Sequence, residues 1–138
     1  MQTFLIILFL AVLLVAALLL LSYFRNLEKK AQFRKIAQAQ ANRAPLSDLE
    51  FCTKLVLNSN DLSFVSAIRK ALANRGDYSY ERIYPDDELW ETFDFQLGDF
   101  LDEFARDFIQ CGHGDLPYEK LHSVGDFVKY LVSRRKES

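Results

Sequence analysis

The sequence predicts an all-α chain in two parts: one membrane-spanning helix that runs on into a basic spacer, then a small helical domain. Three observations predict it. Residues 1–24 carry no charged side chain, apolar residues downstream recur at helical rather than strand spacing, and the sign of the charge changes between the two parts. With 138 residues and only 5 Gly, 3 Pro and 2 Cys, the composition is not collagen-like, disulfide-stapled or disordered.

The anchor is assigned to residues 1–24. From Phe4 to Leu21 there are 18 residues, three of them Ala and fifteen Leu, Ile, Val or Phe. At about 1.5 Å per residue they cover roughly 27 Å, and Ser22, Tyr23 and Phe24 extend the helix to about 31 Å, close to a hydrocarbon core of about 30 Å. Fifteen large apolar residues favour insertion by several kcal/mol. A cleaved signal peptide needs a basic leader, a shorter apolar core and a small-x-small site, whereas here only Gln2 and Thr3 precede the run and Tyr23-Phe24-Arg25 follows it. An uncleaved anchor is therefore expected.

Residues 25–44 form a basic spacer. Arg25, Lys29, Lys30, Arg34, Lys35 and Arg43 face the single acid Glu28, so the positive-inside rule places the C-terminal part in the cytoplasm, on the inner face of a cell membrane. Arg25, Lys29, Lys30, Arg34 and Lys35 are the expected membrane-surface residues, each worth about 1 kcal/mol near anionic headgroups. Good helix formers without Gly or Pro continue the anchor helix. Leu27, Phe33 and Ile36 share no narrow stripe, which predicts a solvated extension and not a helix lying on lipid.

Pro45 ends that pattern. Residues 45–60 read as a short lead-in, with Ser47 at the N-cap of a helix and Glu50 three places on. From Pro45 to Ser138 there are 11 Lys and Arg against 18 Asp and Glu, net −7, where the preceding part carries +5. An acidic domain is repelled by nucleic acid and by an anionic leaflet, so DNA and RNA binding are discarded and a basic-faced protein partner is expected. Cys52 and Cys111, 59 positions apart, read as unlinked thiols of a reducing compartment.

The domain proper is assigned to residues 61–138. Asp61 or Ser63 can cap a helix with Phe64, Val65, Ile68 and Leu72 on one face, ended at Gly76. A long connection follows through Tyr78, Tyr80, Ile83, Pro85 and Leu89, with Asp86, Asp87 and Glu88 expected in solvent. Leu97, Phe100, Leu101, Phe104 and Phe108 make an apolar stripe with an acidic opposite face, capped by Thr92 or Asp94, interrupted by Gly98 and supported by an Asp102–Arg106 pair. After a turn at Gly112, Gly114 and Pro117, Ser123 and Asp126 begin a last helix that buries Val124, Phe127, Val128 and Leu131, with Arg134, Arg135 and Lys136 suited to its end.

The segment Leu116-Pro117-Tyr118 through Ser123-Val124-Gly125-Asp126-Phe127 to Leu131 resembles the end of acyl carrier proteins, where an Ile-Pro turn leads to a Thr-Val-Gly-Asp helix start. Ile83-Tyr84-Pro85-Asp86-Asp87-Glu88-Leu89-Trp90-Glu91 is similar to their long first loop, and the acidic Phe-rich helix to their partner-recognition helix. The resemblance spans residues 61 to 133 and implies a carrier-type four-helix bundle.

The family attaches phosphopantetheine to a serine in an Asp-Ser-Leu motif, and none is found here. Counting back from the apolar stripe puts Asp94 at that position; counting forward from Pro85 puts Leu97 there. Reading Glu91-Thr92-Phe93-Asp94 against the motif offers Thr92, whose extra methyl crowds the oxygen and whose commoner use is as an N-cap. No cofactor is therefore expected, with phosphopantetheine on Thr92 as the alternative that would make the chain a membrane-tethered acyl or aminoacyl carrier.

The other chemistry is sparse. Cys111, His113, Asp115 and His122 match no zinc spacing, and a Cys111/His113 nucleophilic pair lacks an orienting third group in sequence. The acids Asp86 to Asp107 lie on a loop and a helix face and not around a cleft. The expectation is a non-catalytic adaptor that docks its partner through Asp94, Asp99, Asp102 and Glu103.

Overall fold

An unbroken run of Leu, Ile, Val, Phe and Ala gives the backbone no reason to leave the helix, and α1 extends from Gln2 to Ala41, 40 residues in all. The computed structural model describes residues 1–95, 99–112 and 114–137. The chain divides into two compact units, Met1–Ala37 and Gln38–Ser138. In the first unit, α1 is long and apolar enough to cross a membrane, with none of its apolar window buried. At about 100° per residue the cations Arg25, Lys29, Lys30, Arg34 and Lys35 fall on every side of it, and all are exposed.

The second unit is all-helical, with no strand among the described residues. Helix α2 (Asp48–Lys54) starts with the expected capping box: the Glu50 N–H donates to Ser47 Oγ at 3.2 Å, and the Ser47 N–H donates to the Glu50 carboxylate at 2.9 Å. The Ser47 N–H, with the Ser47 hydroxyl donating to the same carboxylate at 2.8 Å, holds the Glu50 carboxyl below its ordinary range. Segment 45–60 is more than a lead-in, because Leu46, Phe51, Cys52 and Leu55 are part of the core. The helix closes with the Leu57 N–H donating to the Cys52 carbonyl at 2.9 Å, which puts Val56 in the left-handed region at φ 58°.

Helix α3 (Leu62–Gly76) buries Val65, Ile68 and Leu72 as its spacing predicts, with Phe64 half-buried at the edge. Asp61 makes no capping bond; it is buried and pairs with Lys136 Nζ at 3.0 Å. The left-handed residue after the helix is Asp77, at φ 57°, and Gly76 is needed because a Cβ there would strike the Tyr78 ring. The fully buried Arg69 donates to the Leu46 carbonyl at 2.9 Å, the Ile83 carbonyl at 3.2 Å and Asp48 Oδ1 at 2.5 Å. It stacks over Phe51, 4.6 Å from the ring centre.

The connection after α3 lies against the start of the last helix, α5 (Val124–Glu137). Gly125 donates to the Pro85 carbonyl at 2.8 Å, Val124 to the Asp87 carbonyl at 2.9 Å, and Leu89 to the His122 carbonyl at 2.9 Å. At the head of α5 the expected Ser123–Asp126 box is present, with the Ser123 N–H donating to Asp126 Oδ2 at 3.0 Å and the Asp126 N–H to Ser123 Oγ at 3.1 Å. A short 3₁₀ turn, Tyr118–Lys120, precedes it.

Helix α4 (Asp99–Arg106) ends two residues before the stripe does, and its phase differs. Its buried positions are Leu101, Asp102 and Ala105, followed by Ile109, while Phe100 is exposed and Phe104 half-buried. Leu97 and Gly98 lie outside the described residues.

Candidate membrane anchor and acidic docking face

A docking face needs charged groups that reach solvent and are not consumed by the fold. Asp94 meets the first condition: it is exposed, in the left-handed region at φ 53°, and its carbonyl accepts from Arg75 Nη2 at 3.1 Å. Glu103 is exposed on α4, and Asp107 is exposed just beyond it. The Asp99 side chain, like His113, lies outside what the structure describes.

Asp102 is not a surface contact. It is 0 % exposed, and its Oδ2 accepts from the Gly114 N–H at 2.9 Å and the Tyr118 hydroxyl at 2.5 Å. The carboxylate ties α4 to the turn before α5, because the backbone of a Gly-containing turn carries N–H groups that need acceptors. It therefore faces inward and not into solvent.

Asp87 also departs from its expected place in solvent. It is only 7 % exposed and accepts from Arg43 Nη1 at 2.5 Å, from the Tyr84 N–H at 2.8 Å and from Gln40 Nε2 at 3.4 Å. Arg43, counted by sequence among the spacer cations, thus belongs to the second unit. Its flanking acids Asp86 and Glu88 are exposed, and Glu88 accepts from the N–H groups of Trp90 at 2.9 Å and Glu91 at 2.6 Å.

Thr92 is 5 % exposed in a turn seven residues ahead of Asp99, so it does not cap the described start of α4. Its carbonyl accepts from the Tyr78 hydroxyl at 3.1 Å.

Among the described residues, two clefts hold polar side chains that chemistry could use. One, of about 330 Å³, is lined by Lys54, Asp86, Ser123, Asp126 and Lys129. Burial opposes ionisation of Asp126, but bonds from Ser123 and the His122 N–H outweigh it and hold the carboxyl below its ordinary range, which suits a helix cap and not a general acid. The other, of about 490 Å³, is lined by Arg106, Gln110, Cys111 and Asp115. Burial, then the nearby Asp102, push the Cys111 thiol up, away from the thiolate a nucleophile requires. Burial does the same to Cys52. Among the described residues no three His, Cys, Asp or Glu side chains gather as metal ligands.

Sequence reading missed the inward acids Asp87 and Asp102 and the buried Arg69. Nothing in the sequence around them separates a buried, partnered charge from a solvated one. Comparison with protein-family models, with curated proteins and with solved structures gives no match.

Proposed function

We propose that this chain is a single-pass membrane protein, N-terminus outside, whose helical second unit serves in the cytoplasm as a non-catalytic adaptor for a basic-faced protein partner. The observation that carries this reading is the pairing of an exposed, uncharged apolar run in α1 with an acidic second unit that leaves Asp94 and Glu103 exposed to solvent. The six cations against one acid after the apolar run support the orientation. The order of long helix, long connection, acidic helix, short turn and capped last helix supports a degenerate carrier-type bundle.

The test uses the full chain in phosphatidylcholine nanodiscs and a fluorescent oligolysine as the cationic probe. Binding is expected to weaken as salt rises and to fall with Asp94→Lys and Glu103→Lys together. Binding insensitive to both overturns the docking reading. Protease digestion of sealed membrane vesicles tests the orientation: the acidic unit should be cut only from the cytoplasmic side.

A further inference from the structure

Helix α4 and the turn after it carry two apolar files, and the core buries only one of them fully. Leu101 and Ala105, with Ile109 after the helix, are buried. Phe100, Phe104 and Phe108 form the second file at intervals of four; Phe100 is 41 % exposed and the other two are half-buried. The inner edges of these rings are fixed. Phe104 lies 5.5 Å from Phe95 and 5.9 Å from Phe127, and Phe108 lies 5.4 Å from Phe104 and 6.0 Å from Phe64 of α3, all between ring centres. The outer edges of Phe104 and Phe108, with the exposed Phe100 ring, therefore make an aromatic platform that reaches solvent, of the kind that anchors a partner.

The platform has defined borders. Arg75 stacks over Phe95 at 4.3 Å and Phe100 at 5.5 Å, and its guanidinium also donates to the carbonyls of Phe93 and Asp94, so its position and charge are already used. Arg135 covers Phe64 at 4.6 Å. Along the open side stand the exposed carboxylates Glu103, about 60° round the helix from Phe100, and Asp107.

We propose that the Phe100–Phe104–Phe108 platform receives an amphipathic cationic helix from the partner protein. A file spaced by four offers grooves that match the i, i+4 rows of a second helix. Glu103 and Asp107 beside it, in a domain segment of net −7, select Lys and Arg on the flank of that helix. This rests on the adaptor reading and narrows it from any basic surface to an apolar face bordered by cations.

The experiment compares two synthetic peptides of about five turns with equal positive charge, one with leucines along one face and one with serines in their place. Both are titrated against the full chain in phosphatidylcholine nanodiscs, with empty discs subtracted. The leucine-faced peptide should bind about tenfold more tightly than the serine peptide, and Phe100→Ser should remove that advantage. Glu103→Lys with Asp107→Lys should weaken both peptides. Equal binding of the two peptides, or a leucine advantage that survives both Phe100→Ser and Phe104→Ser, overturns the platform while leaving a basic partner in place. No salt-sensitive binding of either peptide overturns both readings. Amide spectra of each variant establish that it is folded.

Discussion

Arg43 reaches across 44 residues of sequence to bond Asp87, and this pair joins the segment just after α1 to the connection that packs on α5. The arginine side chain is 33 % exposed and the aspartate 6 %, so the two ends are unequal. Removing the aspartate strands the Tyr84 N–H and the Gln40 amide as well as the guanidinium. Asp87→Ala should cost about 2–4 kcal/mol, and Arg43→Ala clearly less, since that charge keeps partial access to water. Denaturant titration followed by Trp90 fluorescence measures both, because Trp90 is the one tryptophan and its indole N–H is bound to the Leu121 carbonyl at 2.6 Å. Equal effects of the two substitutions would contradict the asymmetry.

Val56 presents the opposite case, a residue whose removal should help. A β-branched side chain at φ 58° is disfavoured, and this one is 91 % exposed and so gains little from burial. Val56→Gly should stabilise the domain by about 1 kcal/mol. An unchanged or lower denaturation midpoint would show that the left-handed turn is not strained.

Gly125 lies on α5 beneath the Pro85 segment. A Cβ there would come within 3.0 Å of the Pro85 carbonyl oxygen and 2.9 Å of Leu55 Cδ2, and one of these contacts is backbone. Gly125→Ala should therefore destabilise by about 1–3 kcal/mol despite the better helix propensity of alanine. Gly114, with open space around it but φ 81°, should lose stability on the same change through backbone strain alone. Thermal melts of the two variants, combined with Leu55→Ala, separate the causes: only the Gly125 defect should be partly relieved.

Acid should weaken the head of α5. Asp126 ionises more readily folded than unfolded, so its contribution is complete above the ordinary carboxyl range and is lost as pH falls below about 4 and through the lower folded value. Glu50 acts in the same direction at α2. Asp126→Ala should lower neutral-pH stability by about 1 kcal/mol and flatten this acid limb. A stability profile parallel to that of the unsubstituted chain from pH 7 to about pH 2.5 would refute the linkage.

Much of the helical plan was legible because it rests on local signals. The uncharged run of α1, the Ser47–Glu50 and Ser123–Asp126 boxes, and the buried face of α3 each follow from residues within a few places of one another. The phase of α4 was not legible, since Phe100/Phe104/Phe108 and Leu101/Ala105/Ile109 repeat with the same period and the larger rings dominate the pattern. Asp102 and Asp87 were misplaced for a related reason. Their partners, Tyr118 and Arg43, are distant in sequence, and a carboxylate among other acids reads as solvated until the fold brings such partners to it. The left-handed Val56 contradicts local preference altogether.

The buried Arg69 ties together parts of the second unit that are synthesised at different times. Its guanidinium draws on Leu46, Asp48 and Ile83, residues that leave the ribosome before and after it. A nascent chain halted short of Ile83 would keep Asp48 and the Leu46 carbonyl for this guanidinium but lack its third acceptor, so the site over the Phe51 ring is completed only once the connection after α3 has been made.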